Sequence, residues 1–480
     1  MVPDSSTSAW RHHLTPHRTL IIVAVAYMTA TLPFAVRARL LLWDEVVYAS
    51  QFAVGTIPAR MTAPRAWGMP LLLAPADVLT SSVQAIRLYL TALSGLGMYL
   101  AFRPWLRVVE PWVVPVAAGL FTTLWTTVLY GSMAYPNLML AFAGVAGLGY
   151  ACRVMAGPSD RWAPVALATA FAVASMLRPT DASFLAAPLL AVCAARRAWR
   201  PMFGVSLGLA VGWIAWTGEA FIRFGGPIAR LRLSSQVTDV ILGFHPIPII
   251  QALDGPNLQC RPTALCADLH ALEIIWWFAL PVLVVAGIMA VRDRLPYLLA
   301  ASSATLLALS YLVTLDWSNP RYLIPTYALL ALPVASALVA GTRRHRVVAV
   351  VISIALLLHV AGQVMTYRRV VDHELQLQAV LLRQDIILEG SLRVASPCVV
   401  FGPGSVELSF ISHCRPVLDT SVPSLTDDRV QAALASGEQV VVIERSPLGG
   451  APSVSGWRQA RLGPTGGTWA YVADPPLGRP

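Results

Sequence analysis

The densest run of chemistry-bearing side chains is Trp43-Asp44-Glu45-Val46-Val47-Tyr48-Ala49-Ser50-Gln51. Val46, Val47, Ser50 and Val54 share one helical face, which predicts a short helix with two adjacent carboxylates in its first turn. A carboxylate there can serve as a general base. The structural alternative is that Asp44 caps the helix, Glu45 complements its dipole, and Trp43 and Tyr48 are interface anchors. Tyr48 and Gln51 are candidate polar contacts for a ligand. A second concentration is Asp316-Trp317-Ser318-Asn319-Pro320-Arg321-Tyr322, just before an apolar helix. The guanidinium fork of Arg321 suits phosphate oxygens, and snorkelling to lipid headgroups is its structural alternative. Asp316 is a further candidate ligand contact. His245, in Gly-Phe-His-Pro-Ile-Pro, is either another such contact or a solvent-facing loop residue.

These residues must be held by a membrane-embedded frame. Of the 480 residues 56% are hydrophobic and only 12% charged, about half the charged share usual in soluble domains, which excludes a soluble enzyme, a disordered tail and a coiled coil. The net charge of +10 comes entirely from Arg, with no Lys in the chain. That bias reflects genome composition and gives little support to a nucleic-acid partner. Eleven apolar stretches are read as spans: 19–36, 82–102, 112–131, 135–152, 162–177, 181–195, 202–221, 271–291, 296–314, 321–340 and 346–364. The first is expected to stay on the protein, since Arg37, Arg39 and Trp43 follow it and no small-residue cleavage site does. With Arg11 and Arg18 placed inside, alternate short loops carry Arg103 and Arg107, Arg153 and Arg161, Arg196, Arg197 and Arg200, Arg292 and Arg294, and Arg343, Arg344 and Arg346. This recurrence fixes an expected cytoplasmic N-terminus.

The opposite face is expected to carry long segments at about 37–81, about 222–270 and beyond 365. Three domains follow: a transmembrane domain over 1–365, a linker or amphipathic segment over 366–394, and a small extracytoplasmic α/β domain over 395–480. In that last domain Cys398–Gly402, Val440–Glu444 and Trp469–Asp474 read as strands, and Thr426–Gly437 as a capped helix. Cys260 and Cys266, and Cys398 and Cys414, lie in the outward segments and are expected to form two disulfides, with Cys152 and Cys193 reduced.

Taken in order, the Asp44-Glu45 pair after the first span, Arg65-Ala66-Trp67-Gly68-Met69-Pro70, Arg87 in the second span, Leu177-Arg178-Pro179-Thr180 and Asn319-Pro320-Arg321-Tyr322-Leu323-Ile324-Pro325 resemble the GT-C superfamily. These are polyprenyl-phosphate-dependent glycosyltransferases, including mannosyltransferase and aminoarabinose-transferase-like members. The likeness covers roughly residues 15–365. It implies a helical polytopic membrane fold, a catalytic acid at Asp44 with Glu45 as its rival, and a lipid-phosphate ligand at Arg321. Tyr322, Arg65 and Arg178 are candidates for support. Arg87, if deep in its span, must meet a carboxylate or a phosphate, with Glu219 and Asp181 as candidate partners. Many members carry a second acid at the start of a later span. Here Tyr135-Pro136-Asn137 stands in that place, which argues against a divalent metal held between two acids and leaves Asn137 as a possible sugar contact. No cofactor is expected. The resemblance implies an inverting transfer of a monosaccharide, mannose or a pentofuranose, from polyprenyl phosphate to a glycan, glycolipid or protein at a bacterial plasma membrane. A transporter or lipid flippase without transferase activity is the alternative.

Overall fold

The computed structural model describes residues 15–157, 160–259, 270–317, 319–417, 427–445, 456–462 and 468–475. Cys260, Cys266 and Ser318 lie outside the described residues. The chain divides into two compact units, one of Met1–Pro33, Thr62–Met69 and Leu90–Val371, the other of Phe34–Met61, Pro70–Tyr89 and Asp372–Pro480.

Among the described residues seven helices are long and apolar enough to cross a membrane, and the protein is a multi-pass membrane protein. They are Pro16–Arg37 (α1), the helix opening at Val83 (α4, Val83–Phe102), Pro136–Ala156 (α7), Trp199–Arg223 (α10), Leu295–Thr314 (α14), the helix after Pro320 (α15, Ile324–Arg344) and Arg346–Gly390 (α16). Four shorter apolar helices occupy the remaining expected stretches: Val113–Thr123 (α5), Ala163–Leu177 (α8), Pro179–Ala195 (α9) and one within Ala271–Met289 (α13). Two expectations need correction. The stretch 112–131 is not one helix, because Leu124 is extended (ψ 130°) and separates α5 from a short α6, Trp125–Tyr130. The Gln363 side chain accepts the Trp125 N–H released by that break, at 2.9 Å. The span expected to end at 364 continues as helix to Gly390.

In the first unit, packing is set by small residues and prolines. Glycines 204, 208 and 212 form a stripe along α10 where it lies on α8. A Cβ at Gly212 would stand 2.2 Å from the Ser175 backbone, so only glycine allows this approach. Ser175 Oγ then donates to Gly208 O (2.9 Å) and accepts from Gly212 N (3.1 Å). Three helices begin at a proline preceded by an extended residue: Tyr135-Pro136 (ψ 138°), Arg178-Pro179 (ψ 93°) and Asn319-Pro320 (ψ 111°). Proline disfavours the helical region for the residue before it and fits the first helical position, so each dipeptide both starts a helix and fixes the backbone of the residue before it.

In the second unit, the short helix α2 (Trp43–Ala49) and α3 (Gly68–Asp77, from Pro70 on) accompany a five-stranded sheet. Its strands are β1 (Cys398–Phe401), β2 (Arg415–Pro416), β3 (Gln439–Glu444), β4 (Arg458–Arg461) and β5 (Trp469–Ala473), in the order β2-β1-β3-β5-β4. β1 runs parallel to β2 and β3, while β5 is antiparallel to β3 and β4. One face packs Val400, Val441, Ile443 and Val472 under Leu388, Leu392 and Leu408. The other packs Val399, Phe401, Val440 and Val442 against Val430 and Ala433 of α18 (Asp428–Ala435). Asp427 caps α18, its side chain accepting from Arg429 N at 2.8 Å. Cys398 and Cys414 are disulfide-bonded, and Cys152 and Cys193 are free and buried.

Candidate functional site

In the first unit the three pre-proline residues gather an arginine–tyrosine cluster. Asn319 Oδ1 accepts from Arg321 N at 3.2 Å and sets the turn that carries Arg321 and Tyr322. The Arg321 guanidinium lies 4.3 Å from the Tyr135 ring centre and 5.5 Å from that of Tyr322. Arg178 lies 5.4 Å from the same Tyr322 ring centre, so two guanidinium groups flank one aromatic ring. Tyr322 is stacked on Tyr311 (4.7 Å, 14°) and edge-on to Trp317. Asp181 Oδ2 accepts from Arg178 Nε at 2.6 Å and from Tyr311 Oη at 2.5 Å. Asp181 thus belongs to Arg178, and its expected pairing with Arg87 is not found. Asn137, one residue into α7, is 1% exposed, and neither end of its amide has a hydrogen-bond partner among the described residues. A buried, unsatisfied amide is costly and points to a missing partner. Asp316 is half-buried in the same loop.

Arg65 is buried beside Thr62, whose hydroxyl its guanidinium contacts. Its loop is held by a residue that sequence reasoning missed, Arg230 of α11 (Pro227–Val237). Fully buried, Arg230 donates to the carbonyls of Ala63 (3.1 Å), Arg65 (2.8 Å) and Trp216 (2.6 Å) and to Glu219 (2.8 Å). Glu219 also meets Arg223, so it too is not the partner of Arg87. No short motif signals Arg230, because its partners lie up to 167 positions away. His245 is half-buried, and its ring makes a local contact with Ile241 O at 3.2 Å.

In the second unit, the carboxylates 44 and 45 take different environments. Glu45 is fully buried and receives Arg87 on both oxygens, at 3.2 and 3.0 Å. It also accepts the Leu42 N–H at 2.9 Å. Arg87 spends its remaining reach on Leu40 O (2.6 Å) and lies over the Phe34 ring. The residue flanking α2 on its N-terminal side is Leu42, so Asp44 does not cap the helix; Glu45 performs that function from inside the first turn. Asp44 is half-buried on the first turn. The loop before α2 is braced by Gln378, whose Oε1 accepts from Arg39 N (2.9 Å) and Leu40 N (3.1 Å). Tyr48 is buried, and the Gln51 amide nitrogen donates to Val47 O and Ala59 O. Asp77, at the end of α3, is fully buried with neither carboxylate oxygen hydrogen-bonded among the described residues. Burial pushes its carboxyl up to about 8. Among the described residues no three His, Cys, Asp or Glu side chains form a metal-holding group.

The fold is that of known GT-C proteins. ArnT from Cupriavidus metallidurans in its undecaprenyl-phosphate-bound crystal structure is similar with a TM-score of 0.65 at 14% identity, over 94% of this chain and 97% of ArnT. Its apo structure is similar with a TM-score of 0.59 at 15% identity, over 98% of each chain. No protein-family model matches the sequence, and no curated protein matches it.

Proposed function

We propose that this protein with the GT-C fold is an inverting membrane glycosyltransferase that takes a monosaccharide from a polyprenyl-phosphate donor. Two guanidinium groups, Arg321 and Arg178, on the Tyr322 ring carry this reading. They sit in a fold shared over nearly its whole length with a protein crystallised with undecaprenyl phosphate. In the proposed reaction Arg321 meets the donor phosphate with its planar fork. Arg178, oriented by Asp181, and Arg65, on the loop that Arg230 clamps, support it. Asp44 is the base, since Glu45 is committed to Arg87 and to the Leu42 N–H. The acceptor hydroxyl gives its proton to Asp44 while its oxygen attacks the anomeric carbon. The bond to the phosphate oxygen breaks on the opposite face, and polyprenyl phosphate leaves with the negative charge that the arginines stabilise. Attack opposite the leaving group inverts the anomeric centre. Asn137 and Asp316 are assigned to sugar or acceptor hydroxyls, with Tyr48, Gln51 and His245 as weaker candidates. Mannose or a pentofuranose is the proposed sugar, and a bacterial plasma membrane the proposed site.

The test is to incubate purified protein with radiolabelled undecaprenyl-phosphate mannose and, separately, undecaprenyl-phosphate arabinofuranose, together with total membrane glycolipid and glycan. Transfer of label from one of them, with release of polyprenyl phosphate, is expected. Label that only crosses a reconstituted bilayer, without transfer, would favour the transporter alternative.

A further inference from the structure

The proposed reaction uses one end of α7 and α8, and the other end of the same helices holds a cavity with a chemistry of its own. Tyr135 opens α7 and Arg178 closes α8, whereas Val154 lies in the last turn of α7 and Arg161 just precedes α8. The 21 residues of α7 span about 30 Å, so the two places are separated by roughly the thickness of a bilayer core. The Arg pattern predicts that this second face is cytoplasmic. α10 starts here as well. Its glycine stripe begins at Gly204, where a Cβ would stand 3.2 Å from Leu167 and 3.7 Å from Pro164 O. Towards the helix start come the larger Phe203, Arg200 and Trp199, and with Val154 and Pro164 they line a cavity of about 470 Å³.

The cavity has the chemistry to attract an anion. Arg161 and Arg200 both line it and are exposed, and among the described residues neither is paired with a carboxylate. The Arg161 guanidinium lies 5.5 Å from the Trp162 ring centre, an arrangement that leaves its in-plane N–H donors available. Asp160 also lines the cavity, but its charge is met by Arg153, and its Oδ1 accepts the Trp162 N–H at 3.2 Å. α8 and α10 both open at the cavity, and neither has a side-chain cap. A helix N-terminus carries partial positive charge and disfavours cations, so two arginines placed there do not serve the helices; an anion satisfies both features at once. Trp162, Trp199 and Phe203 are 64%, 62% and 70% exposed. Large rings at the end of a membrane-crossing helix sit at the level of lipid headgroups and upper acyl chains. We infer that this cavity binds an anionic glycerophospholipid of the leaflet opposite the proposed reaction. Arg161 and Arg200 hold its headgroup phosphate, and Pro164 and Phe203 pack on its upper acyl chain. A free anion would use the arginines and the helix ends and leave the three exposed rings uncovered. Bound there, the lipid ties α8 to α10 at the start of the pair whose far end carries Arg178.

The test needs no transfer activity and so stands apart from the proposed reaction. Full-length protein in detergent, stripped of co-purified lipid, receives palmitoyl-oleoyl phosphatidylglycerol, phosphatidylcholine with the same chains, or inorganic phosphate. Native mass spectrometry reads retained lipid, and thermal melting reads its effect. Wild type is expected to retain one phosphatidylglycerol under conditions that remove phosphatidylcholine, and to melt higher with the former than with either other addition. Arg161→Gln with Arg200→Gln is expected to bind phosphatidylglycerol about 10-fold more weakly or worse, and to melt as wild type does without lipid. Arg161→Lys with Arg200→Lys keeps the charge without the fork and is expected to fall between the two. Arg344→Gln with Arg346→Gln removes the same charge from another loop predicted on that face and is expected to bind as wild type. Equal retention of phosphatidylcholine by wild type would overturn the inference, and so would an equal melting gain from inorganic phosphate, which would mark a site for a soluble anion. Equal weakening in both Gln pairs would reduce the site to diffuse attraction and overturn it too. The comparison of additions on wild type decides the matter whether or not the arginine variants are recovered folded.

Discussion

At the scale of single residues, Glu45 is marked by the partners it holds. Glu45 and Arg87 form a fully buried pair, and removing one partner of such a pair leaves an uncompensated charge, costing about 3–5 kcal/mol. Glu45→Gln is therefore expected to lower folded yield and melting temperature sharply, and Asp44→Asn is expected to leave both near wild type; thermal melts in detergent check this. Asp77 gives a pH prediction. Its carboxyl is raised in the fold to about 8 from an ordinary 3.8, so the folded state holds the proton more tightly than the unfolded chain. Below the unfolded value the group adds no pH-dependent cost, and stability is lost as pH climbs from there towards about 8. Asp77→Asn is thus expected to leave melting unchanged near pH 4 and to raise it by about 2 °C or more at pH 9. Arg321, Tyr322 and Arg178 were legible as short motifs because prolines punctuate the sequence beside them. Asp181 on Tyr311 spans 130 positions and Arg230 on Ala63 spans 167, and no local pattern announces contacts of that reach.

Among the elements, hydrophobic run length located the apolar helices, and the Val-rich runs located β1, β3 and β5, because burial forces such patterns on the sequence. β2 and β4 were not legible: β2 is two residues long, and β4 reads Arg-Gln-Ala-Arg, an edge strand with a half-exposed face. The break at Leu124 was equally silent, since the tertiary partner Gln363 stabilises it and no proline or glycine marks it. The α8–α10 contact supplies a packing prediction. Gly212→Val places a side chain where a Cβ alone would stand 2.2 Å from Ser175, whereas Gly218, on the same helix, has nothing within 4 Å. Gly212→Val is expected to abolish monodisperse folded protein on size-exclusion chromatography, and Gly218→Ala to elute as wild type.

For the whole molecule, the Arg distribution predicts one orientation. Reporter fusions after Arg161, Arg200 and Arg344 are expected to report cytoplasm, and fusions after Pro256 and Gly404 the opposite side. A cytoplasmic signal at Gly404 would put the acid loop on the wrong face for an extracytoplasmic acceptor. The likeness to ArnT covers 94% of this chain and 97% of that one. The central claim is that Asp44 removes a proton during transfer from a polyprenyl-phosphate sugar. Its most direct test is the turnover of Asp44→Asn beside its affinity for undecaprenyl phosphate. Asn is close to Asp in size and helix preference, so the substitution is expected to keep α2 and to remove the proposed base. The account predicts a loss of about 10²-fold or more in kcat with lipid-phosphate affinity kept, and wild-type turnover in Asp44→Asn would contradict it.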